Sequence, residues 1–213
     1  MGRIGHDLMM RLAESMSMKK RLSPHESRAA ALEAARLLLI EHGPQAVTLK
    51  AVATRIGRTH ANLLHHFGSA AELWKALAAY MAGALCDTVG HAVVASRLGA
   101  LSPRELVDLI FDAFETEGGA TLAAWLRLTG DMQALDPIIE AISAMLEELN
   151  DLGAEAMLHV SHTLVLLALG DALMGRALST SLDLPRSTAR DMGERMLVAE
   201  RLRAGIVTTP ALG

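Results

Sequence analysis

The chain has 213 residues, of which 51% are apolar and only 3% aromatic, which excludes global disorder and allows a sizeable core. Its one cysteine, Cys86, excludes an intramolecular disulfide and any cysteine-based zinc site. The net charge of −4 hides an asymmetry: residues 1–67 hold ten Lys/Arg against five Asp/Glu, and the remainder ten against nineteen. A basic N-terminal module therefore sits on an acidic body, which suits contact with nucleic acid at one end only.

Ala, Leu and Met dominate the apolar residues, and residues that favour strands are thin, so the fold class predicted is all-α. Residues 1–22 are polar and without a sustained period, and read as a flexible basic arm ending in Lys19-Lys20-Arg21. The arm reads more readily as a solvated tail, or as an extension before a start at Met16 or Met18, than as a DNA contact. The first helix opens at Ser23-Pro24-His25-Glu26, a capping box with proline at the first helical position. Ala31, Leu32, Ala35, Leu38 and Leu39 follow at helical spacing, and Gly43-Pro44 ends the run.

Thr48 caps a short second helix over about 49–55, and Thr59 caps a third through about His65. Six further helices are predicted: about 69–94, one opened by the capping box Ser102-Pro103-Arg104-Glu105, then 121–128, 136–150, 154–178 and 187–206. The domains expected are the arm at 1–22, a DNA-binding module at 23–68, and a helical ligand-binding and dimerisation domain at 69–213. The apolar stretch around Thr163–Gly170 falls short of a bilayer span, and Arg3, Asp7, Arg11 and Glu14 interrupt any signal-like run, so a cytoplasmic protein without membrane contact is expected.

Residues 48–63 carry the function. Ala53 is the small residue needed where the two helices of a helix-turn-helix touch, and Gly57, four positions on, supplies the positive φ of the turn. Ile56, Leu63 and Phe67 would lock the second helix against the first. Its exposed side would then present Thr59, His60, Asn62 and His65 to base edges, with Ala61 allowing close approach. Thr48, Lys50, Arg58 and His66 complete the candidate DNA-binding set, and the amides at Thr48 and Thr59 add donors for phosphates.

Gly43, Val47-Thr48, Val52-Ala53, Gly57, Thr59, Leu63, His66-Phe67 and Leu73 stand in the register of the tetracycline-repressor (TetR) family, which residues 28–77 resemble. The resemblance implies a nine-helix homodimer, double-stranded DNA as partner, a palindromic operator, and a repressor released by a small effector. Two positions depart from the family pattern. Leu64 replaces a tyrosine near the end of the recognition helix, and Ala70 replaces a basic residue at the start of the next helix. Each loss removes a phosphate contact. Arg58, with Lys50 and Arg55, restores positive charge.

In the acidic body, Ser161, Val165, Ala168, Ala172 and Gly175 form a heptad-like stripe of small residues, and Met192, Met196, Ala199 and Leu202 a second stripe. Both are expected at the dimer interface. Phe111, Phe114, Trp125, Met132, Met145, Met157, His159 and His162 are the candidate lining of a largely apolar effector pocket. His159 and His162 share a helix face but have no third ligand nearby in sequence, so no metal is expected, nor any cofactor. The sequence contains no GxSxG, HExxH, P-loop or dinucleotide fingerprint, and an enzyme is not expected. The rival reading is a helical interaction protein of the same fold that has lost operator binding.

Overall fold

The computed structural model describes residues 23–129, 132–150 and 155–203, so the arm expected at 1–22 lies outside the described residues. Ser23 caps α1 (Pro24–His42) as its sequence predicts: its Oγ accepts from the Glu26 amide at 3.1 Å, and Glu26 accepts from the Ser23 amide at 2.7 Å. A 3₁₀ turn at Pro44–Ala46 leads to α2 (Leu49–Arg55) and α3 (His60–Phe67), and then to the long α4 (Ala70–Arg97). The second capping box opens α5 (Pro103–Glu115), followed by α6 (Gly119–Leu128), a 3₁₀ turn at Met132–Leu135, and α7 (Asp136–Asn150). The helix α8 runs over Glu155–Gly170, widens into a π-helical segment at Asp171–Gly175, and continues through Arg176–Ser181; α9 is Thr188–Arg203. With α8 counted as one helix there are nine among the described residues, and no strand.

Two apolar clusters organise these helices. The first joins Ala31, Ala35 and Leu39 of α1, Val52 of α2 and Leu63 of α3 to Leu73 and Leu77 of α4, and it closes only with Leu122 and Leu126 of α6. The N-terminal three-helix module thus shares its core with the body. The segment at Gly68 and Ser69, where the domains were expected to divide, does not divide the core. The second cluster packs α5 between α8 and α9, around Val107, Phe111, Leu164, Ala168 and Leu197. Gly193 lets α9 approach closely there: a Cβ at that position would stand 2.9 Å from Leu164 Cδ2 and 3.3 Å from Val107 Cγ1.

Arginine–carboxylate bonds tie the outer edge of the body. Asp171, buried within the π segment of α8, accepts from Arg186 Nη1 at 2.6 Å, and Arg186 Nη2 reaches Glu115 at 3.0 Å. Arg190 bridges Asp108, Asp112 and Glu115 of α5, and its guanidinium lies 5.2 Å from the centre of the Phe111 ring. Arg201, also buried, donates to Ser96 Oγ at 2.6 Å, and Ser96 donates onward to the Leu101 carbonyl, joining the ends of α9 and α4.

Two stretches, Ala70–Ser96 and His159–Ser181, are long and apolar enough to cross a membrane by length and composition, with mean hydropathy 1.3 each. Neither stretch is an unbroken apolar run, which is why the expectation of no membrane contact rested on the shorter segment at Thr163–Gly170. The apolarity has other uses in the fold. α4 contributes to both clusters and to a cavity, and α8 buries one side in the second cluster while leaving an apolar side exposed.

Candidate functional site

The turn between α2 and α3 is built from its own backbone. Gly57 takes φ +66°, its amide bonds the Thr54 carbonyl at 3.2 Å, and the Arg58 amide bonds the Ala53 carbonyl at 2.8 Å. This pair of bonds is a Schellman cap, and the left-handed residue it needs is the glycine. Thr59 then starts α3, its Oγ1 accepting from the Asn62 amide at 3.3 Å, as Thr48 Oγ1 accepts from Ala51 at 3.1 Å at the start of α2. Leu63 and Phe67 are buried against α1 and α4, so the opposite side of α3 faces outward.

On that outward side Thr59, His60, Ala61 and His65 are exposed, while Asn62 and His66 are half-buried. Thr48, Lys50 and Arg58 are exposed beside them, and Lys50 and Arg58 form no ion pair among the described residues. Arg55 differs. Its two terminal nitrogens each donate to Glu41 at 2.7 Å, so its charge is neutralised locally and is a poor replacement for a lost phosphate contact. Leu64, 43% exposed, presents an apolar side chain on the same surface, and Ala70 is exposed at the start of α4.

The sequence reading missed Arg28. From α1 its Nη1 donates to the His66 carbonyl at 3.0 Å, and its guanidinium stands 4.6 Å from the centre of the Phe67 ring. A cation here meets the negative end of α3 and pins the helix to α1. Arg28→Ala should therefore lower affinity for specific DNA by about three- to ten-fold, with the slope of log affinity against log salt unchanged. A slope smaller by about one unit would instead make Arg28 a phosphate contact.

A cavity of about 850 Å³ lies in the body, between α4, α5 and the helices that flank them. Met81, Leu85, Leu109, Val165 and Leu169 form part of its apolar wall. Glu33 and Arg36 of α1, the long helix of the N-terminal module, also line it, with Tyr80 and Glu117. Arg36 donates to both oxygens of Glu33 at 2.8 and 2.9 Å and to Glu117 at 2.6 Å, and the Tyr80 hydroxyl donates to Glu33 at 3.1 Å. The bond from Arg36, aided by Tyr80, holds the Glu33 carboxyl below the usual carboxylate range despite partial burial. The Glu33–Arg36 spacing is legible in sequence as a helix pair. That it meets Tyr80 and Glu117 is not, because residues far apart in the chain must first be packed together.

Of the residues expected to line an effector pocket, Phe114 does so. Phe111 does not: it is 1% exposed in the second cluster, on the side of α5 that meets α8 and α9. Trp125 packs on the first cluster with its ring 5.9 Å from that of Trp74, and Met145 packs on the second cluster. His159 and His162 are exposed on α8 and do not line the cavity. The side chains of Met132 and Met157 lie outside the described residues. Among the described residues no cluster of three or more His, Cys, Asp or Glu side chains is arranged to hold a metal ion.

The stripe Ser161, Val165, Ala168, Ala172 and Gly175, expected at a dimer interface, faces into its own subunit. Val165 lines the cavity, Ala168 is 1% exposed, Ala172 packs on the second cluster, and Gly175 is buried where a Cβ would meet the Asp171 carboxylate; only Ser161, half-buried, is outside these contacts. Small residues do mark a close approach, but the helices that approach are α5 and α9 of the same chain. The side of α8 left open carries Leu166, Leu173, Met174 and Leu178. On α9, Met192, Ala199 and Leu202 are exposed and Met196 is half-buried.

A capped helix-turn-helix with an exposed polar recognition helix, on an all-helical body that holds a cavity, is the architecture of a DNA-binding transcription regulator. Residues 31–77 match the family of bacterial regulatory proteins described as the tetR family. A solved structure from Rhodococcus sp., assigned to the TetR-family transcriptional regulators, shares the fold with a TM-score of 0.52, at 17% identity over 82% of this chain and 98% of that one. No curated protein matches. The N-terminal module is thus similar to the DNA-binding module of the tetR family, and the helical body completes a fold that the Rhodococcus structure shares.

Proposed function

We propose that this regulator is a cytoplasmic repressor whose homodimer reads a palindromic operator and is released by a small, largely apolar molecule in the cavity. The observation that carries this reading is the double membership of α1. The helix packs on the recognition hairpin through Ala35 and Leu39, and it supplies Glu33 and Arg36 to the cavity. A molecule in the cavity therefore touches the element on which α3 is mounted. Its effect on DNA binding equals its difference in affinity for the DNA-competent and DNA-incompetent arrangements.

The DNA-binding set is Thr48, Lys50, Arg58, Thr59, His60, Ala61, Asn62, His65 and His66, within a module at 23–68, and the body from residue 69 takes ligand and partner. The homodimer is closed by the exposed apolar side of α8, around Leu166 and Leu173, with Met192, Ala199 and Leu202 of α9. Pairing these sides about a two-fold axis would bury side chains that a monomer leaves in water. The protein acts by binding and not by catalysis.

The test is fluorescence anisotropy with DNA from the gene's own upstream region against scrambled DNA, over a salt series. His60→Ala should relax the preference between the two DNAs. Lys50→Ala should weaken binding to both evenly and reduce the salt slope by about one unit. The exposed Leu64 supports a second reading, an interaction protein without an operator. A folded dimer that binds neither DNA at low salt would establish that reading in place of the first.

A further inference from the structure

We propose that the cavity takes an apolar molecule carrying a positive charge, a hydrophobic amine or quaternary ammonium; this rests on the reading of the cavity as the effector site. The volume of about 850 Å³ falls in the range of sites for drug-sized molecules, and the walls supply the apolar contact such a body needs. What selects among apolar molecules is the charge around them. Five carboxylates line the cavity against one lining cation, Arg36: Glu33 and Glu117 share that arginine, Asp108 and Asp112 pair with Arg104 and Arg190 outside the lining, and Glu105 alone has no ion pair among the described residues.

That cation is already engaged. All three donor nitrogens of its guanidinium bond carboxylates, two to Glu33 and one to Glu117. An anionic ligand would have to break charge-assisted bonds to reach Arg36 and would meet four further carboxyl groups if it displaced Glu117 alone.

The carboxylates of α5 are placed differently. Glu105, Asp108 and Asp112 recur at three- and four-residue spacing and so share one side of that helix. Glu105 has no ion-pair partner among the described residues; its bonds come from the amide and hydroxyl of Ser102, which keep its carboxyl below the ordinary range and hence ionised at neutral pH. Asp108 and Asp112 bond Arg104 and Arg190, neither of which lines the cavity. Tyr80 and Phe114 belong to the same lining, and an aromatic ring is a favourable neighbour for a cationic nitrogen. More carboxylates than cations on an apolar lining, with its arginine engaged and Glu105 in no ion pair among the described residues, favour a cation.

Three fluorescent probes test this with the full chain: rhodamine 6G, a cation; Nile red, neutral and apolar; and fluorescein, an anion. Anisotropy titrations should show rhodamine 6G bound at least about ten-fold more tightly than fluorescein, with the gap narrowing as salt is raised. Glu105→Gln keeps the capping box, since glutamine serves at that position, and combined with Asp112→Asn it should erase most of the gap while leaving Nile red unchanged. Ala84→Trp, at an exposed helical position on the cavity lining, should block the bound probes alike and so tie binding to the cavity. Nile red binding that Ala84→Trp blocks, with rhodamine 6G no tighter than fluorescein, would overturn the cationic class and leave the effector site standing. A gap that survives the two neutralising substitutions would overturn it also. If no probe binds, both this proposal and the reading of the cavity as an effector site fail.

Discussion

With the proposed homodimer closed through α8, Leu166→Glu with Leu173→Glu should give a monomer and lower affinity for the proposed operator by at least about 100-fold, because linked half-sites gain that much over a single one. The two leucines are 54% and 51% exposed in the subunit and stand seven residues apart, on one side of α8. A two-fold interface repeats each substitution, so two changes put four carboxylates into an apolar contact, and buried unpaired charges are strongly unfavourable. Neither side chain is part of the buried core, so helix content measured by circular dichroism should persist. Light scattering after size exclusion gives the mass directly. A variant that stays dimeric would move the interface away from α8. Ala168→Glu, on the inward stripe, should instead cause loss of the folded state, since Ala168 is buried against α5 and α9.

Phe111→Ala should destabilise the fold by about 3–5 kcal/mol, the usual cost of removing a fully buried aromatic side chain. Phe111 packs with Val107, Leu164 and Leu197, and it also carries the guanidinium of Arg190 over its ring. Both the apolar packing and that cation–π contact would be lost. Leu109→Ala is the informative companion: Leu109 is half-buried and lines the cavity, so it should cost less stability and more probe affinity. Urea denaturation measures the first effect and anisotropy with Nile red the second. Equal stability losses for the two would mean that Phe111 is not the core residue its burial makes it.

The local chemistry of the sequence carried a long way. Ser23 and Ser102 form the capping boxes their neighbours specify, Thr48 and Thr59 cap the two short helices, and Gly57 takes the positive φ of the turn. Each of these depends on residues within a few positions, where the backbone decides locally which polar group satisfies which amide. The outward residues of α3 were legible for the same reason, once Leu63 and Phe67 fixed the buried side.

The lining of the cavity and the side of α8 left open were not legible, and α5 and α8 show why. Phe111 and Phe114 both belong to the second cluster, yet only Phe114 also reaches the cavity, because α8 and α9 cover only part of α5. On α8 the small-residue stripe is real, but periodicity cannot say whether the helix that fills it comes from the same chain or another. His159 and His162 fell to the exposed side for that reason, and Val165 to the cavity. Arg28, Glu33 and Arg36 gained their roles only when α3, α4 and the turn after α5 were brought against α1.

By itself, then, the sequence determined the all-α class, the caps, the turn and the family of the N-terminal module, since these rest on spacing and on hydrogen bonds between near neighbours. The tertiary structure alone decided which sides of α5 and α8 meet solvent, core or cavity. Burial belongs to the whole packing arrangement, and a helix with apolar residues on more than one side does not encode which of them will be covered.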